Sequence, residues 1–462
     1  MSGEDRARLA DARRVVTGDR QGEGNAVYAV YVAVIAAGAY GVPASQQLFR
    51  FLDARWLAEH LGGVRGPVVG VVALVALLAL AFRAGAVRGP AVPDLPYLDH
   101  VATSPLDRAV VLRRWWRLAL VGCLTGGLLA GLVAGAGLAI AAVTGPLVLL
   151  PAVAVGGVAA LLVAWAWLEG QVRGRDNRGH GRPGSGTLAR PARSLRSLPL
   201  ASLRAQAARS AGVGGGVLAG DLRAVRLEVA APTTRARGRR LRAAGPRGTM
   251  VRRDVLGLRR SPGALVTGVA LTGVGAFAVV HAATPGVPSV VALAGTVLAY
   301  LGVGQWAEGL RLQGDNSGTV PLVGLDPSTE ALTHLVVPGA AYGLVTLVVG
   351  GATVALGGAS ALGLPWALVL GAAVLGAQLM AAFRPLPGGD ASLISPGGRL
   401  GTMLLAYAVP LIAAAVVGTG ATAMLGSASL RGQAPVALLI GSALVVAWGR
   451  HRVRALTDAH RD

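Results

Sequence analysis

Residues 335–357, LVVPGAAYGLVTLVVGGATVALG, and residues 362–383, LGLPWALVLGAAVLGAQLMAAF, decide the fold class. Neither run contains an Asp, Glu, Arg or His, and a helix crossing the bilayer core needs about 20 predominantly apolar residues. A third clean run, 401–425, follows. The same test applied along the chain yields ten windows: 27–48, 64–82, 117–142, 146–168, 263–283, 286–306, 335–357, 362–383, 401–425 and 434–449. Only Thr144, Gly145 and Pro146 separate the third window from the fourth. The expected fold is therefore an all-α membrane protein of about ten transmembrane helices in two blocks, four spans and then six.

Composition agrees with lipid as the main solvent. The 462 residues are 53% apolar and 14% charged, with 22 acidic groups, where soluble domains run near 25% charged. The first twenty residues, MSGEDRARLADARRVVTGDR, are polar and lack the early apolar core of a cleaved signal peptide. The window from Val27 is accordingly read as an uncleaved first span. Arginine placement orients the chain, because basic loops stay in the cytoplasm. With both termini cytoplasmic, inner segments hold 39 arginines and outer loops hold four: Arg50, Arg55, Arg65 and Arg431.

All 43 basic residues are arginine and none is lysine, a bias that a GC-rich genome would also produce. A P-loop places a lysine on the nucleotide phosphates, so the chain by itself is not expected to hydrolyse ATP. Schiff-base chemistry also requires a lysine amine. The lone Cys123 lies within the third window, so neither an intrachain disulfide nor a cysteine-based metal site is available. The seven histidines are scattered, and no H-E-x-x-H, paired-carboxylate cluster or G-x-S-x-G accompanies them. No enzyme activity, catalytic residue, metal or cofactor is expected.

The domain reading is a tail (1–26), a first membrane block (27–170), an Arg-rich linker (171–262), a second membrane block (263–449) and a C-terminal tail (450–462). Within the linker, 200–229 carries helix-compatible spacing, with Leu203, Ala207, Leu218, Leu222, Val225 and Val229 available to one face. The stretch TMVRRDVLGLRRSPGAL (249–265) sets Met250, Val251, Val255, Leu256 and Leu258 against Arg252, Arg253, Asp254, Arg259 and Arg260. It reads either as an amphipathic helix in the headgroup plane or as a juxtamembrane basic patch on anionic lipid. An internal recurrence also stands out at an offset of 139 residues: Trp167, Glu169, Gly170, Asp176 and Asn177 return as Trp306, Glu308, Gly309, Asp315 and Asn316. Pro146 and Gly156 fall opposite Pro285 and Gly295. This W-x-E-G-x5-D-N pattern reads as a duplication or as coincidence at two helix ends.

Ionisable residues stay near the ends of the windows, which disfavours a secondary transporter, since coupling to protons or sodium usually needs such a residue inside the membrane. Gln378, Gln46 and Gln47 read as interhelical hydrogen-bond partners. Gly122, Gly126, Gly127, Gly131 and Gly135 form overlapping G-x-x-x-G spacings that let two helix backbones approach. Two arginine-side loops, LPYLDHVATSPLDRAVVLRRWWRL (95–118) and QGDNSGTVPLVGLDPSTEALTHLVVP (313–338), place proline with acidic or hydroxyl residues just before a span. Ser104 or Ser328 would cap a short helix there, fit to dock a soluble partner. The plainer reading is an elbow re-entering the bilayer.

The run LPYLDHVATSPLDRAVVLRR (95–114) resembles the stretch after the second span in actinobacterial ABC-exporter-like permeases, where a proline and an sPvdR…LLR signature recur. VRRDVLGLRRSPGAL (251–265) resembles the connecting helix before a permease half in that family, and RPLPGGDAS (384–392) resembles its final cytoplasmic loop. The resemblance covers most of the chain in layout through short motifs, and the four-span first half departs from a six-span permease. It implies a multi-pass subunit of the bacterial plasma membrane, energised by a separate ABC ATPase. It also implies ATPase contacts at Ser104, Pro105, Asp107 and Arg108, with Asp326, Pro327 and Glu330 as second-half counterparts. The alternative is a non-transporting scaffold whose basic loop binds anionic membrane lipids or a partner protein. Nucleic acid is not an expected partner, and a homodimer is compatible with either reading.

Overall fold

In a computed structural model, the described residues are 11, 31, 33–35, 37–51, 65–174, 188, 190–219, 241, 244–317, 324–384 and 396–458. They form helices and connecting turns, with no strand among them. The protein is an all-α membrane protein. Among the described residues eight helices are long and apolar enough to cross a membrane, and a ninth is obtained if one bent pair counts as a single span. Nine of the ten sequence windows thus have a helical counterpart. The remaining window, 27–48, lies partly outside the described residues; its described end holds a π-turn, Ala37–Gly41, and α1, Val42–Phe51.

The chain divides into two compact units, Met1–Ala230 and Ala231–Asp462. The segment 171–262, read above as a linker, is shared between them. In the first unit, α2 (Arg65–Val87), α4 (Arg108–Ile140) and α5 (Leu149–Val172) are the long apolar helices. Short helices α3 (Leu95–His100) and α6 (Ala192–Arg196), with α7 (Leu200–Ala219), pack at the arginine-rich end. The α4 helix runs about 50 Å at 1.5 Å per residue, well beyond the ~30 Å bilayer core. Its first turns, with Ala109, Val111, Leu112 and Trp116, are buried against Tyr97, Leu98, Val101, Leu195, Leu198 and Leu203. By contrast α2 leaves Val68, Val71, Val72, Val75 and Leu80 exposed, a surface for lipid.

The α4 and α5 helices form a tight hairpin. A Cβ on Gly127 would stand 2.4 Å from the Gly156 carbonyl oxygen, and one on Gly131 2.3 Å from that of Ala152. Gly135 also faces α5, whereas Gly122 and Gly126 meet nothing within 4 Å. The glycine face expected from sequence is therefore confined to the 127–131–135 row, because α5 lies along that side only.

The second unit holds α8 (Gly245–Arg260), α9 (Pro262–Ala282), α10 (Ser289–Gly304), α11 (Glu308–Asp315), α12 (Pro327–His334), α13 (Val336–Ala355), α14 (Gly363–Ala382), α15 (Pro396–Gly426) and α16 (Ala434–Asp458). Helix α14 is the central post, packed by α9, α10, α11, α13, α15 and α16. Its polar groups tie it to those neighbours: Trp366 Nε1 donates to Thr422 Oγ1 at 3.1 Å, the Tyr342 hydroxyl donates to the Ala367 carbonyl at 2.7 Å, and Gln378 Nε2 donates to the Tyr300 carbonyl at 2.7 Å. Gln378 is thus the interhelical partner its sequence position suggested. Between α10 and α11 the axis turns by 71°.

Candidate partner-docking surface at the arginine-rich span ends

In the first unit the run 101–108 forms a compact corner. Ser104 Oγ donates to the Val101 carbonyl at 2.6 Å and closes α3, while Pro105 is exposed. The helix cap is Asp107, whose carboxylate accepts from the Ala109 N–H at 3.0 Å. This corrects the expectation for Ser104: a hydroxyl three residues ahead of Asp107 is turned back onto α3. Asp107 also takes two bonds on one oxygen from Arg196 of α6, from Nε at 2.9 Å and from Nη2 at 2.6 Å. The Arg196 hydrogen bonds hold the Asp107 carboxyl below its ordinary 3.8, and the Ala109 N–H adds to this. Arg108 turns inward, donating to the Leu198 carbonyl at 2.6 Å, so it positions the α6–α7 turn.

Two glutamines escaped the sequence reading. Gln206 Oε1 accepts from the Gly89 N–H at 3.1 Å, and Gln171 Oε1 accepts from the Ala91 N–H at 3.2 Å. Their amides also meet each other at 3.2 Å. They satisfy a buried loop backbone that would otherwise be costly, and no spacing in the sequence links them.

In the second unit Asp326 caps α12, accepting from the Ser328 N–H at 3.0 Å and the Thr329 N–H at 3.2 Å. A hydrogen bond from the Ser328 side chain is the main reason its carboxyl sits below 3.8, and the Thr329 and Ser328 N–H groups add to this. Here too the aspartate caps and the serine does not: Ser328 is buried inside the first turn. Pro327 and Glu330 are half-buried, and the Pro327 carbonyl accepts from Gln313 Nε2 at 2.9 Å. The loop residues expected at a partner interface thus fall into two groups, one in each unit.

A buried contact on this end of the second unit joins α8 to α12. His334 Nδ1 lies 2.6 Å from Asp254 Oδ2, with side chains 1% and 5% exposed. The sequence reading placed Asp254 with the arginines on a polar face. The structure moves it to the buried face with Met250, while Arg252, Arg253 and Arg259 are exposed. The signal was present: Asp254 is the sole acid among the arginines of α8 and lies four residues after Met250, hence on the same stripe.

The recurrent motif sits in both units at a site of close approach. Gly156 and Gly295, each eleven residues before the motif tryptophan, make reciprocal glycine contacts with Gly127 and Gly275. Those partner glycines do not share the 139-residue offset. At Gly170 a Cβ would stand 2.0 Å from the Phe82 carbonyl oxygen, and at Gly309 one would stand 2.2 Å from Asp254 Oδ1 and 2.6 Å from His334 Nδ1. The other motif positions differ. Trp167 Nε1 donates to the Arg88 carbonyl at 2.8 Å, whereas Trp306 is buried against Gly268. Glu169 is buried with Arg173 Nε at 3.2 Å, and Glu308 is exposed, 4.0 Å from Arg311. Helix α5 continues past Trp167, Glu169 and Gly170 to Val172, while the second copy bends between Gly304 and Glu308. Asp315 ends α11, Asn316 bonds back to the Leu312 carbonyl at 2.7 Å, and Asp176 and Asn177 lie outside the described residues.

Among the described residues no group of three or more His, Cys, Asp or Glu could hold a metal ion. The chemistry on offer is docking through capped helix starts. Comparison with known proteins found no matching family model, no similar curated protein and no similar solved structure.

Proposed function

We propose that the protein is the membrane-spanning, permease-like subunit of an ABC-type exporter, energised by a separate ATPase that docks at the arginine-rich, cytoplasmic span ends in a bacterial plasma membrane. The observation that carries this reading is the pair of aspartate-capped helix starts, Asp107 on α4 and Asp326 on α12. Each presents an exposed, rigidly held corner directly at the start of a long span. Leu335 links α12 to α13 without a break, and the buried Asp254–His334 pair fastens α12 to α8, so a push on α12 would reach a span and the basic helix together. The absence of lysine supports a borrowed motor, since a P-loop needs one.

The test is affinity purification of the solubilised chain at native expression, followed by identification of co-purifying chains. A P-loop ATPase is expected, with recovery reduced by Asp107→Arg or Asp326→Arg. Its absence from the wild-type preparation would count decisively against this assignment. The scaffold reading is favoured by one observation, the exposed Arg252, Arg253 and Arg259 of α8. It predicts binding to anionic vesicles with no ATPase recovered.

A further inference from the structure

We propose that Arg311, Arg384 and Arg452 of the second unit form a binding site for a phosphate group, carried by a lipid headgroup or free in solution. The proposal does not depend on the exporter reading. The three side chains come from α11, the end of α14 and α16. The Arg384 guanidinium lies 3.6 Å above the Tyr407 ring, and its Nε donates to the Ala381 carbonyl at 2.6 Å. One of its terminal nitrogens, Nη1, is buried with no hydrogen-bond partner among the described residues. Arg452 donates Nη1 to the Met380 carbonyl at 3.3 Å, with its guanidinium carbon 5.2 Å from the Trp448 ring centre. Arg311 Nη2 stands beside Gly304, 3.0 Å from where a Cβ would lie, next to the Gln378 amide.

These cations are brought together against their mutual repulsion. Burial pushes the Arg384 pKa down, and the nearby Arg311 and Arg452 charges push it further. Guanidinium remains charged in proteins, so the cluster keeps its charge. Among the described residues no carboxylate forms an ion pair with Arg384 or Arg452, and Glu308 stands 4.0 Å from Arg311. A buried charge needs a counter-charge. The planar fork of arginine pairs with phosphate through two parallel hydrogen bonds, and two or three forks can share its several oxygens. The aromatic rings of Tyr407 and Trp448 stack the guanidinia and leave their edges as donors. Since the site lies where α14 ends, a phospholipid headgroup can reach it from the membrane.

The experiment uses the full chain, delipidated in nonionic detergent and placed in phosphatidylcholine nanodiscs. Phosphatidylglycerol is titrated in one arm and inorganic phosphate in the other, with binding followed by native mass spectrometry and by the rise in unfolding midpoint. Saturable binding of one phosphate group per chain is expected. Its affinity should fall about tenfold or more in Arg384→Gln and in Arg452→Gln, the weight of a charge-assisted hydrogen bond. Arg253→Gln, on the exposed face of α8, should bind as the wild type does. The arm that saturates identifies the source. Arg384→Lys covers the case in which Arg384→Gln does not fold; it keeps the charge, loses the fork and should bind several-fold more weakly. Saturation of neither arm would overturn the proposal, as would wild-type affinity in the Arg384 and Arg452 variants or an equal loss in Arg253→Gln.

Discussion

The Asp254–His334 contact predicts a measurable coupling between two helices whose contact residues lie eighty positions apart in sequence. Both side chains are almost fully enclosed and the heavy-atom distance is 2.6 Å, so water cannot replace a lost partner. Removing either side leaves a buried polar group uncompensated, a cost of about 1–3 kcal/mol, rising to about 3–5 kcal/mol if the pair is ionised. Asp254→Ala and His334→Ala should each destabilise the protein by such an amount. The double variant should fall short of their sum by about 1.5–3 kcal/mol, the value of one charge-assisted hydrogen bond. Gly309 supplies an internal control. A Cβ there would stand 2.2 Å from Asp254 Oδ1 and 2.6 Å from His334 Nδ1, so Gly309→Ala should wedge the pair apart in the wild type and cost less in the Asp254→Ala background, where only the His334 contact remains. Equilibrium unfolding in mixed detergent–SDS micelles, followed by tryptophan fluorescence, gives the required midpoints. Additive single and double variants, or a Gly309→Ala penalty that is the same in both backgrounds, would refute the coupling.

Other outcomes follow from the same geometry. Gly170→Val should destabilise the first unit by several kcal/mol, because its Cβ would stand 2.0 Å from the Phe82 backbone oxygen, whereas Gly122→Val meets open space and should be tolerated; micelle unfolding separates them. Leu198→Ala, fully buried at the arginine-rich end, should cost about 2–5 kcal/mol, and Val72→Ala on the lipid-facing side of α2 close to nothing in the same assay. Asp107→Ala should cost about 0.5–2 kcal/mol through the lost cap, and Arg196→Gln clearly less than that, because that ion pair is well exposed. Asp107 and Asp326 are both held below 3.8, so their contribution is present above that pH and is lost as pH falls through their lower folded values. An acid titration of the unfolding midpoint should therefore drop below about pH 4, and the Asp107→Asn, Asp326→Asn variant should drop less.

The spans were legible because lipid imposes a severe and local rule: a run such as 362–383 must do without charge over its whole length, and its neighbours cannot supply what it lacks. Interfacial helices obey no such rule. Helices α3, α6 and α12 are eight residues or fewer and are defined by caps and by what lies beneath them, so the sequence indicated a loop with capping residues but chose the wrong cap. The serines were favoured by propensity, and the aspartates won because each sits immediately before its helix. The bend after Gly304 carries no proline and was invisible within an apolar window. The Asp254–His334 pair joins residues that only the tertiary structure brings together, although the position of Asp254 on the apolar stripe of α8 gave half of it away.

The two units hold themselves together by different physics. Along α2, α4 and α5 little of the apolar window is buried, 6% and twice 11%, whereas α14 buries 61% of its own. Apolar side chains gain almost nothing by leaving lipid for a helix neighbour, so packing within the membrane rests on close backbone contact and hydrogen bonds. The first unit has such contacts where the 127–131–135 glycine row of α4 meets α5, where Gly85 and Gly170 bring α2 and α5 together, and where Gly137 of α4 meets Ser45 of α1. Its remaining order must come from outside the bilayer, where water again makes burial favourable. That is where Tyr97, Leu98, Leu112, Leu195, Leu198 and Leu203 form their cluster and where Asp107, Arg108, Gln171 and Gln206 spend their hydrogen bonds. The corner around Asp107 is therefore both the exposed edge on which a partner would press and the structure that fixes the starting direction of α4. A load applied there would pass along α4 to α5 and α1, which pack against it, while in the second unit a load on α12 would be shared among α8, α11, α13 and α16.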